Sequence, residues 1–129
     1  MDNLDYANEL REVALEFKKY AFEYKKERAL YAEAYNKLTN LIFIAGLHND
    51  KASFEKILAK LLATDYAEQA KYYIELLYTS KANYKGWEMI LESFKAHISS
   101  IQSVIKYNLA GELNENIANK ANIDSLMTF

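Results

Sequence analysis

Apolar residues recur at alternating steps of four and three along much of the second half of the chain. The stripe runs from Tyr66 to Ile105 and includes Ala70, Tyr73, Leu77, Ser80, Tyr84, Trp87, Leu91, Phe94, Ile98 and Ile101. This heptad spacing places every member on one face of an α-helix. Only Ser80 interrupts its apolar character, so the pattern predicts a long helix packed against other helices.

A second heptad pattern runs from Leu10 to Leu41. Its seam positions are Leu10, Val13, Phe17, Tyr20, Tyr24, Glu27, Tyr31, Ala34, Leu38 and Leu41. Between the two patterns, a short amphipathic helix is indicated by the spacing i, i+3, i+4, i+7, i+8 of Phe54, Ile57, Leu58, Leu61 and Leu62. We therefore predict two long helices, over about 5–45 and 65–109, joined by a short helix over 51–63.

Local signals set the expected ends of these helices. Gly46 suits the position just after a helix C-terminus, and Asp50 is expected to cap the short helix. Thr64 and Asp65 are expected to cap the next helix, with Glu68 completing a pattern that resembles a capping box. Each of these polar residues precedes a new apolar periodicity, which is typical of a helix start.

Two further glycines affect the long second pattern. Gly86 lies inside it, where a glycine costs about 1 kcal/mol relative to alanine, so we expect a kink or a closely crossing helix. Gly111 is expected to end the helix. Residues 112–129 would then form a tail with a small C-terminal helix over 113–121, either mobile or docked on a partner.

Composition agrees with an all-α helical bundle that forms a single domain over residues 1–129. The chain has no proline and three glycines, and both residue types are unfavourable inside helices. With no cysteine, disulfides and thiolate metal sites are excluded. The longest apolar run, Leu41–Leu47, is far short of the ~20 residues that span a bilayer, so we expect a cytoplasmic protein with no membrane contact.

No catalytic constellation emerges from the sequence. The two histidines, His48 and His97, lack a histidine or glutamate partner at helical spacing, and no glycine loop suited to phosphate is present. We therefore predict a protein that is not an enzyme, with no catalytic residue, no cofactor, no metal and no small-molecule substrate.

A basic stripe is the first candidate binding feature. Lys18, Lys19, Lys25 and Lys26 take outward heptad positions, and Arg28 follows them. Such a stripe suits a phosphate backbone, which makes single-stranded nucleic acid a possible partner; a solvated helix face is the alternative interpretation. The net charge is −2, so any nucleic-acid binding must depend on a local patch.

The aromatic residues are the second candidate feature, because the chain has 11 tyrosines. Tyrosine is enriched at protein interfaces, although a core between helices also accommodates it. The candidate interface residues, for a protein partner or a homo-oligomer, are Phe22, Tyr35, Tyr72, Tyr84 and Trp87. The third helix also carries apolar residues beside its seam (Leu76, Ile90 and Val104), which indicates two neighbouring helices.

The segment Ala82-Asn83-Tyr84-Lys85-Gly86-Trp87, which continues into residues 98–107, is similar to the C-terminal helix of small phage-encoded helical proteins. Recombination mediators of the UvsY type are the family it resembles. The resemblance implies a helical, oligomeric, non-enzymatic protein that helps a recombinase load on single-stranded DNA. The chain departs from that family in having no basic excess.

The sequence thus supports two hypotheses about function. The first is an oligomeric accessory protein of a phage or mobile element that serves nucleic-acid metabolism, such as recombinase loading. The alternative is a small protein-binding inhibitor or adaptor, for example a phage antagonist of a host or defence nuclease. Both act through packed helices, so the heptad pattern by itself does not separate them.

Overall fold

Three helices make up the fold. A computed structural model describes residues 2–126, with side chains described for residues 2–112. The helices are α1 (Asn3–Ile44), α2 (Phe54–Leu61) and α3 (Ala67–Leu126), and the described residues contain no strand. The predicted all-α bundle with two long helices and a short one between them is confirmed. Among residues 2–126, none of the helices is apolar over enough length to cross a bilayer.

Both long helices contribute to two compact units. Unit 1 contains the chain up to Lys18 together with the chain from Leu91 onward, and unit 2 is Lys19–Ile90.

The core of unit 2 joins all three helices. Its buried residues come from α1 (Ala34, Leu38, Leu41, Ile42), α2 (Leu58, Leu61) and α3 (Ala70, Leu77). Most of these are seam positions of the two heptad patterns or the apolar face of the short helix. Leu76, beside the seam, packs partly buried against the same cluster. The widened face of α3 therefore meets two neighbours in this unit, α1 and α2.

A layer of aromatic rings continues the α1–α3 packing of unit 2. Tyr20 stacks on Trp87 with ring centroids 5.3 Å apart, and Tyr24 meets Tyr84 edge-on at 6.2 Å. As residue numbers rise along α1, those of the partners on α3 fall. The two helices therefore run antiparallel in unit 2, an orientation that the sequence left open.

Unit 1 pairs the start of α1 with the second half of α3. The Asn108 Nδ2 donates a hydrogen bond of 2.9 Å to the Asn3 Oδ1, and His97 Nε2 lies 3.4 Å from Glu9 Oε1. The residue numbers again run in opposite directions, so the helices are antiparallel in this unit as well. Ile101, a seam residue of α3, is buried here.

The turn after α1 forms as the sequence predicts. Gly46 has a φ of 76°, its N–H donates to the carbonyl of Phe43, and the N–H of Leu47 donates to the carbonyl of Ile42. This pair of bonds defines a Schellman motif, which satisfies carbonyls that the helix end leaves unpaired. Leu47 then packs against the core of unit 2.

The start of α2 corrects one of the expected caps. Ser53, not Asp50, caps α2, and its side chain accepts from the N–H of Lys56. Asp50 instead accepts from the N–H of Ala52 and from the Lys60 ammonium, which ties the loop to α2. At the start of α3, the Thr64 hydroxyl accepts from the N–H of Tyr66 and donates to the carbonyl of Leu61.

One expectation about the glycines was wrong, and a second was tested in only one of its two alternatives. Helix α3 does not end at Gly111 but continues to Leu126, so the small C-terminal helix is not a separate element. The reason is that Gly111 does not adopt a positive φ, as a helix-ending glycine would. At Gly86, a methyl group added to the backbone would meet no neighbouring atom within 4 Å, so no described part of the chain crosses closely there. The other alternative for Gly86, a kink, stays a prediction. Residues 127–129 of the predicted tail lie outside the described residues.

Candidate nucleic-acid interface

The outward face of α1 in unit 2 brings an aromatic ring and three lysines together. Phe22 is 67% exposed, because its heptad position lies on the side of α1 opposite the seam. Lys19, Lys25 and Lys26 lie three residues before, three after and four after Phe22, and all three are exposed. On a helix, residues at this spacing have Cβ atoms about 5–6 Å apart. We call these four residues the Phe22 patch.

The lysines of the Phe22 patch are exposed to solvent. Among side chains 2–112, none of the three forms an ion pair. The neighbouring acids Glu23 and Glu27 lie partly buried toward the seam side of α1, whereas Glu16, three residues before Lys19, is exposed. In the outward register of Lys19 and Lys26, the nearest acids are Glu12, seven residues before Lys19, and Glu33, seven residues after Lys26. The patch is therefore a local concentration of three positive charges in a chain whose net charge is −2.

The other two basic candidates are placed differently. Lys18 is exposed on α1 but belongs to unit 1. Arg28 lies in unit 2 with its guanidinium carbon 4.6 Å from the centre of the Tyr84 ring. This is a cation–π contact of about 0.5–1 kcal/mol at an exposed site. Arg28 thus has a packing role within the chain in addition to its charge.

The aromatic interface candidates divide into two groups. Phe22, Tyr35 and Tyr72 are exposed, as their positions off the seams predict. The assignment of Tyr84 to an external interface is corrected by its burial: it is 5% exposed.

The Tyr84 ring is buried because it lies in the α3 seam, in edge-on contact with Tyr24 and Tyr31. Trp87 is partly buried against Tyr20, so its ring is also engaged within the chain.

Histidine and acidic side chains do not gather into a metal-binding group among the described residues. No group of three or more His, Cys, Asp or Glu side chains among them could hold a metal ion. His48 lies against the Phe43 ring, and His97 beside Glu9. A hollow of about 470 Å³ in unit 1 is lined near the Asn3–Asn108 hydrogen bond by asparagine, aspartate and tyrosine, and it is widely open to solvent.

Phe22 and the lysines were predicted to belong to separate candidate sites, one for protein and one for nucleic acid. The structure puts them on one exposed face of α1. The signal that unites them is the outward heptad position of Phe22, with lysines at i−3, i+3 and i+4. On α3, Met89 and Ile90 are exposed apolar residues that lie three and four residues after Gly86. No site was predicted from this combination.

The fold and this surface define an all-α protein with an exposed basic–aromatic patch. Comparison of the chain with family models, with curated proteins and with solved structures finds no match.

Proposed function

We propose that this chain is a non-enzymatic accessory protein of a phage or mobile element that binds single-stranded nucleic acid through the Phe22 patch. It would act in the cytoplasm in nucleic-acid metabolism, such as the loading of a recombinase. One observation carries the proposal: an aromatic ring that is 67% exposed lies between three exposed lysines that form no described ion pair.

The chemistry of the patch favours a single strand over a duplex. An unpaired base can stack on Phe22, and such stacking contributes about 1–3 kcal/mol per base. The bases of a duplex are already stacked on one another and present only their edges in the grooves. Lys19 and Lys26 are seven residues apart, about 10.5 Å along the helix, so they suit separate phosphates of an extended strand.

Binding through three lysines should be weak and salt-dependent. Each phosphate neutralised on a single strand contributes about −0.7 to the slope of log K against log salt, which gives a slope of about −2 for this patch. The acids elsewhere on the chain repel the strand, so we expect retention at low salt and loss near physiological salt. Fluorescence anisotropy of a labelled oligothymidine, titrated with salt, measures both quantities.

Three variants separate the roles of the patch. Replacing Lys19, Lys25 and Lys26 together by alanine should remove nearly all of the slope. Phe22→Ala should weaken binding by about 5- to 150-fold, the equivalent of one stacked base, and leave the slope unchanged. The matched control replaces Lys71, Lys81 and Lys85, three exposed lysines on α3 of the same unit, and should bind as the wild type does.

The same titration has two outcomes that would reject the proposal. One is the absence of binding at ~50 mM salt, where electrostatic affinity is high. The other is an equal loss of affinity in the variant of the three patch lysines and in the α3 control. Binding would then depend only on the net charge of the chain. Circular dichroism of each variant confirms that the helices are intact.

A protein-binding inhibitor or adaptor is the second candidate, supported by Tyr72 on α3. Its side chain is 64% exposed, and shallow hollows of about 190 and 260 Å³ lie beside it. Tyrosine is enriched at protein interfaces, and Tyr72 lies beside the partly buried Leu76. Failure to bind single-stranded DNA, together with Tyr72-dependent capture of a host protein, would favour this function over the first.

A further inference from the structure

An uncharged face of α3 in unit 2 has no partner within the described chain. It consists of Ala82, Asn83, Gly86, Met89 and Ile90, which recur at helical spacing and are all exposed. Met89 is 74% exposed and Ile90 is 40% exposed. The neighbouring charges, Lys81, Lys85 and Glu88, take other positions around the helix. We call this surface the Gly86 face.

Glycine at position 86 needs an explanation that the monomer does not supply. It costs about 1 kcal/mol relative to alanine in a helix interior. No described atom outside its own helix lies within 4 Å of the place where a Cβ would be, so close packing inside the chain does not require glycine. The open space above Gly86 has room for the backbone of another helix. Ala82, four residues earlier on the same side of α3, has a small side chain and does not block that approach.

We propose that the Gly86 face is the self-association surface of this protein, and that its occupant is the same face of a second copy. The two α3 helices would cross antiparallel on a two-fold axis at Gly86. This inference concerns α3 and is independent of the Phe22 patch on α1.

The sequence of the face is complementary to itself about that axis. In an antiparallel crossing centred on residue 86, position 86−k lies opposite position 86+k of the other copy. Ala82 therefore faces Ile90, and Asn83 faces Met89, so each large side chain meets a smaller one. A two-fold contact uses the same patch on both copies, and this pairing of small with large is what such a patch needs to pack densely.

Two further observations support a second copy as the occupant. The five residues of the face carry no charge, so pairing of the face with itself buries no charged side chain at its centre. It also continues the packing already present in unit 2, because Asn83 and Ile90 flank Trp87, which stacks on Tyr20 of α1. Methionine suits such a surface, because its flexible side chain adapts to the opposing helix.

A single helix crossing forms a small interface, below about 1,200 Å² in total, which is the size class of weak association. Sedimentation equilibrium without nucleic acid should therefore extend to about 1 mM protein, a Kd that corresponds to only about −4 kcal/mol. The wild type should shift from monomer to dimer within this range. A wild type that stays monomeric throughout would overturn the proposal.

Gly86→Lys is the discriminating variant, and Gly111→Lys is its matched control. Both glycines lie within α3, and an added side chain meets no atom within 4 Å at either position. Gly86→Lys should weaken dimerisation at least about 10-fold, because it places an ammonium group in an apolar contact. Gly111→Lys should dimerise like the wild type. Equal behaviour of the two variants, in either direction, would overturn the assignment to the Gly86 face.

A cysteine variant tests the two-fold axis itself, since the chain has no cysteine of its own. Gly86→Cys should form a disulfide-linked dimer under mild oxidation, because a residue on the axis faces its own copy. Gly111→Cys should cross-link much more slowly. Faster cross-linking at position 111 than at position 86 would contradict the proposed geometry.

Discussion

The two glycines of unit 2 should respond to the same substitution with opposite changes in stability. At Gly46, φ is +76°, a left-handed conformation that costs an L-residue about 1–2 kcal/mol. A methyl group there would touch no atom within 4 Å, so the penalty comes from the backbone alone. At Gly86, inside α3, alanine should raise the free energy of unfolding by about 1 kcal/mol. Gly46→Ala and Gly86→Ala should thus differ by about 2–3 kcal/mol.

Urea unfolding followed by circular dichroism measures this difference. It should be run at a protein concentration well below that at which the chain self-associates, so that only the monomer contributes. With an m-value of about 2 kcal/mol per M, the midpoint should rise by about 0.5 M for Gly86→Ala and fall by about 0.5–1 M for Gly46→Ala. A lowered midpoint for Gly86→Ala would show that a side chain does meet an obstacle there. An unchanged midpoint for Gly46→Ala would refute the backbone argument.

Four further substitutions in unit 2 test its packing and charges. Leu61→Ala removes three fully buried carbons, so it should lower the free energy of unfolding by about 3 kcal/mol, from ~0.8 kcal/mol for each carbon plus a cavity term. Leu62→Ala should lower it by about 1 kcal/mol, because Leu62 is 43% exposed and Leu61 is 0% exposed. Equal urea midpoints for the two variants would contradict this difference in burial. Ser80→Ala should change stability by less than about 1 kcal/mol, because its buried hydroxyl donates only to carbonyls of its own helix; a larger loss would mean that the hydroxyl has another partner. The Lys60 ammonium, and then the N–H of Ala52, lower the pKa of Asp50 below its ordinary 3.8, so its contribution is present above that pH and is lost as pH falls through the folded pKa. Stability measured from about pH 5 to pH 2 should therefore fall less steeply in Asp50→Asn than in the wild type, and equal slopes would refute this coupling.

The helices and their buried faces could be predicted because they depend on periodicity. Leu38 and Leu77 are buried where the two seams place them, and the short helix supplies Leu61 to the same core. The end of α1 was also predictable, since Gly46 follows the apolar run directly. These features need only the local spacing of apolar residues and one glycine that adopts a positive φ.

The sequence alone does not determine which residue caps α2 or where α3 ends. Asp50 and Ser53 are both good N-caps; α2 begins directly after Ser53, while Asp50 accepts a hydrogen bond from Lys60. Gly111 is compatible with both a helix interior and a helix end, and only its φ distinguishes them. The burial of Tyr84 follows from its seam position, but its partners Tyr24 and Tyr31 depend on the antiparallel orientation of the helices in unit 2, which no local pattern encodes.

The candidate site was predictable in its parts but not as a whole. The outward lysines and Phe22 were each recognisable, yet they were assigned to different partners. Phe22 and the lysines form one candidate site because all of them are exposed. A ring that faced the seam would be buried and could not stack on a base. The role of Gly86 could not be predicted from the sequence for a similar reason. A glycine inside a helix is compatible with a crossing helix of the same chain and with one from another molecule, and only the open space above Gly86 distinguishes the two.

The contact between Tyr20 and Trp87 gives the protein a built-in optical probe. Trp87 is the single tryptophan of the chain, and it lies partly buried where α1 and α3 meet in unit 2. Its emission therefore reports one location, while circular dichroism averages over every helix. If the α1–α3 pairing of unit 2 opened before the helices themselves melted, the fluorescence would change first and the two unfolding curves would separate. Coincident curves would instead identify helix formation and helix pairing as one cooperative event.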